Sequence, residues 1–145
     1  LSIRRQRQMC IRDRIQREFD PQLGPVPGIA NELEQVLLNL LKNAAQAIHL
    51  RDDDNVPGKL ILRTRLAPPW AEIQVEDNGV GIPETVRKRI FEPFFTTKEV
   101  GQGTGLGLSV SYFIVTNNHK GQMEVHSRTG QGTCFTLRLP LGVSH

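Results

Sequence analysis

Cysteine is scarce in this sequence of 145 residues. The two cysteines, Cys10 and Cys134, stand far apart and form no Cys-x-x-Cys pair. A disulfide scaffold needs several cysteines in a short chain, and a zinc site needs closely spaced ligands, so the sequence predicts neither. Reduced thiols, and hence a cytoplasmic location, are the expectation.

Long apolar runs are also missing. No stretch approaches the roughly 18 consecutive apolar residues that mark a membrane-spanning helix, and the first residues show no signal-peptide pattern. We therefore predict no membrane contact by this part of the protein. A parent protein could still be anchored to a membrane through another segment.

An excess of charge of one sign occurs only near the start of the chain. The formal net charge is +3. The arginines of the first stretch account for it: Arg4, Arg5, Arg7, Arg12, Arg14 and Arg17. A nucleic-acid-binding domain carries its basic patch on the folded body. Because the rest of the chain is close to neutral, we predict no nucleic-acid partner.

The string MCIRDR at positions 9–14 has a separate explanation. It matches the translation of a transposon adapter that is widely used in DNA sequencing libraries. We therefore expect residues 1–14 to be a non-native or disordered segment, and residues 15–145 to form one domain. A basic amphipathic helix end is the alternative interpretation of these residues.

Two patterns of apolar residues predict the fold. Three- and four-residue spacing predicts helices at about 32–49, with Asn31 as N-cap, and at 106–118. Pro83 would open a short helix at about 84–90. Alternation predicts strands at 15–19, 59–66, 71–77, 121–127 and 132–140. This order of elements is typical of a two-layer α/β sandwich, in which a mixed, mostly antiparallel sheet is covered on one face by helices.

Amide side chains line the first predicted helix. Gln35, Asn39, Asn43 and Gln46 follow at steps of four, four and three residues, which places them on one side of a helix. The amide oxygen of asparagine is a good neutral ligand for Mg²⁺, which prefers oxygen ligands and keeps several waters. A solvated helix edge is the alternative interpretation.

The segment EDNGVGIP follows a predicted strand. It places Asp77 at the strand end, and Gly79 and Gly81 then allow close approach of the backbone to another group. A carboxylate there could accept a hydrogen bond from an exocyclic amine such as that of adenine. A simple turn explains the same string, because Asp-Asn-Gly is a strong turn sequence.

Alternating glycines precede the last predicted helix in the segment GQGTGLGL. Glycines that lead into a helix N-terminus present free N–H groups to an anion such as phosphate. The string is neither a Walker A loop nor the dinucleotide fingerprint. A flexible linker is the alternative, although Leu106 and Leu108 lie in phase with the helix that follows.

A final turn, GQGTCF, carries a hydroxyl into the last strand. Gly130 and Gly132 form the turn, and the Thr133 hydroxyl could bond a base nitrogen directly or through water. An ordinary hairpin is the alternative interpretation of this segment alone.

The order of these segments is more specific than any one of them. The amide helix, DNGVG, FEPFFTTK, GTGLGL and GTCF follow one another as the N, G1, F, G2 and G3 boxes do. The chain therefore resembles, over residues 15–140, the ATP-binding catalytic domain of sensor histidine kinases. That domain belongs to the superfamily of gyrase, Hsp90 and MutL-like ATPases and has the Bergerat fold.

The resemblance implies ATP and Mg²⁺ as cofactors and assigns the catalytic positions. Asn43 would ligate Mg²⁺, Asn39 would lie close to the phosphates, and Lys98 would reach the γ-phosphate. Asp77 would hold the adenine amine. The lid that carries Lys98 would order when nucleotide binds.

Other matching positions would surround the nucleotide. Residues after Asp77 would lie against the base, aromatic residues would anchor the lid, and glycines would cradle the phosphates. The implied nucleotide-binding residues are Gly79, Gly81, Ile82, Phe91, Phe95, Thr97, Gly103, Thr104, Gly105, Leu106, Gly107, Leu108 and Thr133.

One position separates kinases from ATPases in this superfamily. Members that hydrolyse ATP place a glutamate, as general base, four residues before the Mg²⁺ asparagine. Asn39 stands there and cannot accept a proton, which argues for a kinase that protects its γ-phosphate. Many relatives carry a basic residue at the position of Gln46. One phosphate contact of the family is therefore not implied for this chain.

The resemblance also implies partners. The phosphoacceptor histidine would lie on a separate dimerisation domain, and the phosphate would pass to a response regulator receiver domain. We expect the histidines of this chain to be solvated or packed instead: His49, His119, His126 and His145. The alternatives are a serine kinase of the anti-sigma-factor type and a nucleotide-sensing interaction module without catalysis.

Overall fold

The computed structural model describes residues 15–51, 56–92 and 107–142. Five strands and three helices occur in these ranges. In chain order they are β1 (Ile15–Glu18), α1 (Ala30–Arg51), β2 (Leu60–Ala67), β3 (Trp70–Asp77), α2 (Glu84–Arg87), α3 (Gly107–Phe113), β4 (Gln122–Arg128) and β5 (Gly132–Pro140). Helix α3 continues directly as one π-helical turn, Ile114–Asn118.

The strands form one mixed sheet in the order β1-β2-β3-β5-β4. Strand β1 is parallel to β2, and every other neighbouring pair is antiparallel. The predicted mostly antiparallel sheet is therefore confirmed. Because β3 lies between β2 and β5, its last residue, Asp77, pairs with Leu60 on one side and Thr133 on the other.

Helix α1 supplies the largest part of the apolar layer on one face of the sheet. Its residues at successive four-residue steps are buried: Val36, Leu40, Ala44 and Ile48. They pack with inward-facing side chains of the central strands, among them Val75, Phe135, Leu137 and Leu139. The predicted two-layer arrangement, with helices over one face of the sheet, is confirmed.

The opposite face of the sheet carries alternating charges. Glu72 is only 6% exposed, and it forms ion pairs with Arg65 at 3.2 Å and Arg138 at 3.3 Å. Arg63 likewise lies 3.0 Å from Glu18 and 3.4 Å from Glu76. Charged side chains are tolerated on these strands because each meets an opposite charge on a neighbouring strand.

In the chain segments that the structure describes, no helix is long and apolar enough to cross a membrane.

The start of α1 differs from the prediction. The helix begins at Ala30, so Asn31 lies inside the first turn and the predicted N-cap is wrong. The backbone oxygen of Ile29 accepts a hydrogen bond from Leu33 N–H at 3.0 Å, and Ile29 N–H donates to His119 Nε2 at 2.9 Å. A side chain 90 residues away thus fixes this helix start, which no local pattern could reveal.

Additional hydrogen bonds close the π-helical turn that follows α3. His119 N–H donates to Ile114 O at 3.1 Å, and Gly121 N–H donates to Val115 O at 2.8 Å. The His119 ring is held on both sides, because Nδ1 lies 2.9 Å from Ile114 O. We predicted this histidine to be simply solvated or packed, whereas it joins the end of α3 to the start of α1.

Lys120 provides a test of backbone strain in this turn. Its φ is 55°, in the left-handed region that disfavours side chains. We expect Lys120→Gly to raise the free energy of unfolding by about 0.5–1 kcal/mol, the relief of strain being partly offset by the freedom of glycine in the unfolded chain. Chemical denaturation measures this change. The matched control is Lys88→Gly, because Lys88 has an ordinary φ of −65° and should lose stability; equal losses at both sites would contradict the prediction.

Candidate functional site

Helix α1 presents a polar stripe to two other parts of the fold. Asn39, Asn43 and Ala47 follow at four-residue steps and therefore share one face of the helix. Asn39 Nδ2 donates to Gly107 O at 3.3 Å and to Ser111 Oγ at 3.1 Å. One helical turn beyond Asn43, Ala47 O accepts a hydrogen bond from Val80 N–H at 3.2 Å. The stripe thus joins the start of α3 to the loop after β3.

Asn43 occupies the middle of this stripe. Successive members of the stripe are separated by about 6 Å along the helix axis. Asn43 is half-buried. Its position along the stripe falls between Asn39, which contacts the start of α3, and Ala47, which contacts Val80 after Asp77. This is the side of α1 on which the sequence placed the Mg²⁺ ligand.

Asn39 positions α3 in the structure. Besides the two contacts of its amide nitrogen, its partner Ser111 is fully buried and donates to Gly107 O at 2.8 Å. The three residues therefore form a closed polar cluster at the first turn of α3. Sequence reasoning missed Ser111, whose only local sign is a serine on the buried side of an apolar helix. The proximity of Asn39 to phosphates stays a prediction.

Asp77 is a buried carboxylate at the end of β3. It is 6% exposed, and Gly79 N–H donates to Oδ1 at 2.8 Å. Burial raises the pKa of the Asp77 carboxyl to about 6, against the opposing effect of backbone hydrogen bonds from Gly79 and Thr133. A carboxylate in this position is poised to accept a hydrogen bond, because burial costs it the solvation that a ligand donor would replace.

Residues 78–82, here called the Gly79 loop, pack against α1. A Cβ on Gly79 would lie 2.5 Å from the carbonyl carbon of Ala47 and 2.6 Å from its oxygen. Only glycine permits this approach, and it allows the hydrogen bond from Val80 to α1. Arg51, in the last turn of α1, donates to Asn78 O and holds the same loop from the other end.

The turn between β4 and β5 clamps the opposite side of the Gly79 loop. Gly130 N–H donates to Val80 O at 2.7 Å, and Ile82 N–H donates to Ser127 Oγ at 2.7 Å. Gly81 has a φ of 78°, and a Cβ there would lie 2.2 Å from Arg128 O. The two glycines that suggested close approach of a base therefore also allow close approach of α1 and of this turn; contact with a base stays a prediction.

Apolar and aromatic residues connect the site to the core. Phe91 stacks on Tyr112 with ring centroids 4.7 Å apart and planes 21° apart, a geometry typical of favourable offset stacking. Ile82, Phe91 and Leu108 are partly buried and pack against the main core. The sequence indicated Phe91 and Leu108 but missed Tyr112, the residue on α3 against which Phe91 rests.

Several predicted residues lie outside the described residues. They belong to the segment 93–106 and are Phe95, Thr97, Lys98, Gly103, Thr104, Gly105 and Leu106. Within the described residues, Gly107 and Leu108 stand at the first turn of α3, where Gly107 O accepts the contact from Asn39.

A cavity of about 480 Å³ lies at the Asp77 end of the sheet. Two of the predicted nucleotide-binding residues, Asp77 and Thr133, line it. The lining also includes Ser127 and Gly132, Arg87 from α2 and Arg128 from the end of β4. Asn43 and Asn39 are not part of this lining. The cavity therefore borders only the base end of the predicted site.

The donor set on the described residues fits Mg²⁺ held mainly by a nucleotide. Among these residues, no group of three or more His, Cys, Asp or Glu side chains could hold a metal ion. Mg²⁺ in nucleotide sites is commonly bound by one or two protein oxygens, by phosphates and by water. Asn43 can supply one such oxygen from α1.

Comparison with solved structures defines the class of fold. The nucleotide-free catalytic domain of the histidine kinase ThkA superposes with a TM-score of 0.77 at 32% identity, over 96% of this chain and 84% of that chain. Full-length ShkA, solved in complex with AMPPNP, superposes with a TM-score of 0.73 at 25% identity, over 97% of this chain and 29% of that chain. The fold is the Bergerat α/β sandwich of histidine kinase catalytic domains.

The sequence comparison identifies the family. The family model of histidine kinase-, DNA gyrase B-, and HSP90-like ATPases matches residues 28–143, a range that contains α1, the Gly79 loop, α3 and the β4–β5 hairpin. The chain belongs to this family. The resemblance to sensor histidine kinase catalytic domains, which was stated from the order of five short segments, is confirmed.

Curated relatives are two-component sensor kinases. The two-component sensor PprA of Pseudomonas aeruginosa is 47% identical over 122 residues, which cover 80% of this chain and 12% of PprA. The signal transduction histidine-protein kinase AtoS of Escherichia coli is 45% identical over 125 residues, covering 86% of this chain and 19% of AtoS. The chain thus spans less than a fifth of the length of these two relatives.

Proposed function

We propose that this chain is the ATP-binding catalytic domain of a sensor histidine kinase. It binds Mg²⁺–ATP and transfers the γ-phosphoryl group to a histidine on a separate dimerisation domain, for relay to a response regulator receiver domain. The observation that carries the proposal is the α1 stripe: Asn39 contacts the start of α3, and Ala47, one turn beyond Asn43, contacts the loop that follows the buried carboxylate of Asp77. The likeness to ShkA, solved with AMPPNP, supports it.

In this proposal the two ends of the site bind different parts of ATP. Asp77 accepts a hydrogen bond from the adenine amine, and the clamped Gly79 loop holds the plane of the base. Asn43 directs its amide oxygen to Mg²⁺, which neutralises negative charge on the phosphates. The positive end of the α3 dipole favours the phosphate end.

The transfer itself needs positioning more than acid–base chemistry. A nitrogen lone pair of the incoming histidine attacks the γ-phosphorus, the bond from that phosphorus to the β,γ-bridging oxygen breaks, and ADP leaves with the bonding electrons. Asn39 carries no basic group, and its amide nitrogen is engaged with Gly107 and Ser111. Helix α1 therefore offers no general base for water at this position, as a kinase requires.

Two titrations and one transfer assay test the proposal. Calorimetry of this chain with ATP should show binding that strengthens with Mg²⁺ and exceeds binding of GTP. The chain, mixed with labelled ATP and the histidine-containing helical domain of its parent kinase, should place acid-labile phosphate on that domain. ATP binding without any transfer would favour a nucleotide-sensing module, and phosphoserine on a partner would favour the anti-sigma-factor type of kinase.

Asn43→Ala separates metal binding from folding. We expect the variant to lose the Mg²⁺-dependent part of its ATP affinity, about tenfold or more, because one oxygen ligand is removed from the metal. Circular dichroism should show an unchanged fold. Gln35→Ala is the matched control, because Gln35 is an exposed amide two turns earlier on α1; an equal loss in both variants would argue against Asn43 as a ligand.

The cytoplasm is the location that this function requires, because the domain needs ATP and a receiver domain. The proposal assigns no nucleic acid and no membrane contact to this chain.

A further inference from the structure

Two acceptor atoms of α3 face the side-chain amide of Asn39. Ser111 Oγ lies 3.1 Å from Asn39 Nδ2, and Gly107 O lies 3.3 Å from the same nitrogen. Ser111 is fully buried, and its hydroxyl donates to Gly107 O at 2.8 Å. Because a serine hydroxyl has only one proton to donate, Ser111 presents lone pairs alone to Asn39.

This arrangement fixes the direction of the Asn39 amide. The amide nitrogen carries two hydrogens, and the two acceptors of α3 use both. A flipped amide would place its oxygen against Gly107 O with no proton between them, even if the Ser111 hydroxyl turned to donate to that oxygen. The nitrogen of Asn39 therefore belongs to α3, and the oxygen is directed elsewhere.

The Asn39 oxygen lies beside the α-carbon of Gly107. A Cβ on Gly107 would lie 3.9 Å from Asn39 Oδ1 and 3.8 Å from Asn39 Cγ, so any side chain at position 107 would pack on the amide. Glycine leaves this side of it uncovered. Asn43, the predicted Mg²⁺ ligand, follows one turn later on the same side of α1.

An amide held in one direction selects its ligands by charge. Its oxygen attracts a cation or a water molecule bound to a cation, whereas phosphate oxygens are themselves acceptors and find no donor there. An amide that is free to turn would offer its N–H groups to phosphate oxygens instead. The direction of the Asn39 amide thus decides whether a triphosphate without its metal is bound well.

We infer that Ser111 is a positioning residue for metal-loaded nucleotide: by holding the Asn39 nitrogen against α3, it presents the Asn39 oxygen to Mg²⁺–ATP and denies a hydrogen-bond donor to metal-free ATP. The inference rests on the proposed ATP-binding function. It also specifies how Asn39 meets the phosphate end of the site, namely as an acceptor. Ser111 acts only through Asn39.

The direction of the amide is testable without nucleotide. In the wild type, nuclear magnetic resonance should show slow exchange with water for both side-chain amide protons of Asn39, because both are hydrogen-bonded. Ser111→Ala should speed the exchange of at least one of them about tenfold. Thr116→Ala is the matched control, because Thr116 Oγ1 makes the same kind of bond within the helix, to Tyr112 O at 2.7 Å. Equal exchange in the wild type and Ser111→Ala overturns the inference.

Calorimetry with ATP, in Mg²⁺ and in a metal chelator, tests the selection itself. Wild-type protein should bind ATP about tenfold or more tightly with Mg²⁺ than without it. In Ser111→Ala this ratio should fall about threefold or more, the value of one hydrogen bond, because metal-free ATP gains a donor. Thr116→Ala should keep the wild-type ratio.

A purely structural role of Ser111 would give a different result. It would lower both affinities by the same factor, and an unchanged ratio in Ser111→Ala overturns the inference alone. If Ser111→Ala does not fold, Ser111→Cys keeps the side-chain volume with a weaker hydrogen-bond partner and gives both tests. Wild-type protein that binds ATP equally with and without Mg²⁺ also overturns the inference, whereas wild-type protein that binds no ATP overturns the proposed function and the inference with it.

Discussion

Asp77→Asn should stabilise the nucleotide-free protein near neutral pH while weakening its affinity for ATP. Burial raises the pKa of this carboxyl from 3.8 to about 6, so the folded protein bears its charge at a cost that the unfolded chain does not have. A shift of two units corresponds to roughly 3 kcal/mol. We expect asparagine to recover about 1–2 kcal/mol of this, because it also weakens the hydrogen bonds from Gly79 and Thr133 that favour the charged form.

The sign of the pH dependence follows from proton binding. Below pH 3.8 the carboxyl is protonated in both states, and the cost is absent. Between pH 3.8 and about 6 the folded protein keeps a proton that the unfolded chain has released, so this group makes the free energy of unfolding fall as pH rises. Denaturant unfolding measured from pH 4 to pH 7 should show that the stability advantage of Asp77→Asn over the wild type is largest near pH 7.

Glu76→Gln is the matched control for this result. Glu76 is the neighbouring acid, but its side chain lies on the opposite face of the sheet, 3.4 Å from Arg63. The same change of charge there should leave the decline between pH 4 and pH 6 in place. Parallel stability curves for the wild type and Asp77→Asn would show that Asp77 does not titrate in this window.

The affinity for ATP should respond in the opposite sense. Loss of a charge-assisted hydrogen bond to the adenine amine should weaken binding by about tenfold to a hundredfold. In the wild type, affinity should also fall as pH drops below about 6, because a proton then competes with the amine for the carboxylate. The ratio of wild-type to variant affinity isolates this effect, since titration of the ATP phosphates is common to both proteins.

The position of Asp77 could be predicted from the sequence, but its burial could not. Alternation places it at the last position of a strand, and the following glycines indicate a close approach. Its burial depends on register, because Leu60 and Thr133 flank it from strands 17 and 56 residues away along the chain. Those pairings are set by the packing of the whole sheet, and no local sequence pattern indicates them.

Non-local contacts also explain the errors and omissions on α1. The spacing of its apolar residues predicted the helix and its buried side, because periodicity is a local property. The N-cap prediction was wrong, since Ile29 and His119 fix the helix start instead of Asn31. The contact of Asn39 with Ser111 joins residues 72 positions apart, and only the folded chain reveals that this amide holds α3.

Gly79→Ala should have the largest effect on the Gly79 loop. The added Cβ would lie 2.5 Å from the carbonyl carbon and 2.6 Å from the carbonyl oxygen of Ala47. Both atoms belong to the backbone of α1, whose buried side packs on the sheet, so neither can move away without disturbing that helix. We expect the free energy of unfolding to fall by roughly 2–3 kcal/mol, the upper part of the range for overpacked interiors. ATP affinity should fall by about tenfold or more as the loop is displaced.

Gly24→Ala isolates the cause of this loss. It adds the same methyl group at a glycine that has no other heavy atom within 4 Å of the new Cβ, and should change stability by less than about 0.5 kcal/mol. Calorimetry on the folded fraction of Gly79→Ala then separates packing from binding. If stability falls but the remaining folded protein binds ATP with wild-type affinity, the Gly79 loop is a structural clamp on α1 and the base must be recognised elsewhere. A joint loss places the loop at the base, because displacing it moves the backbone that is bonded to Asp77.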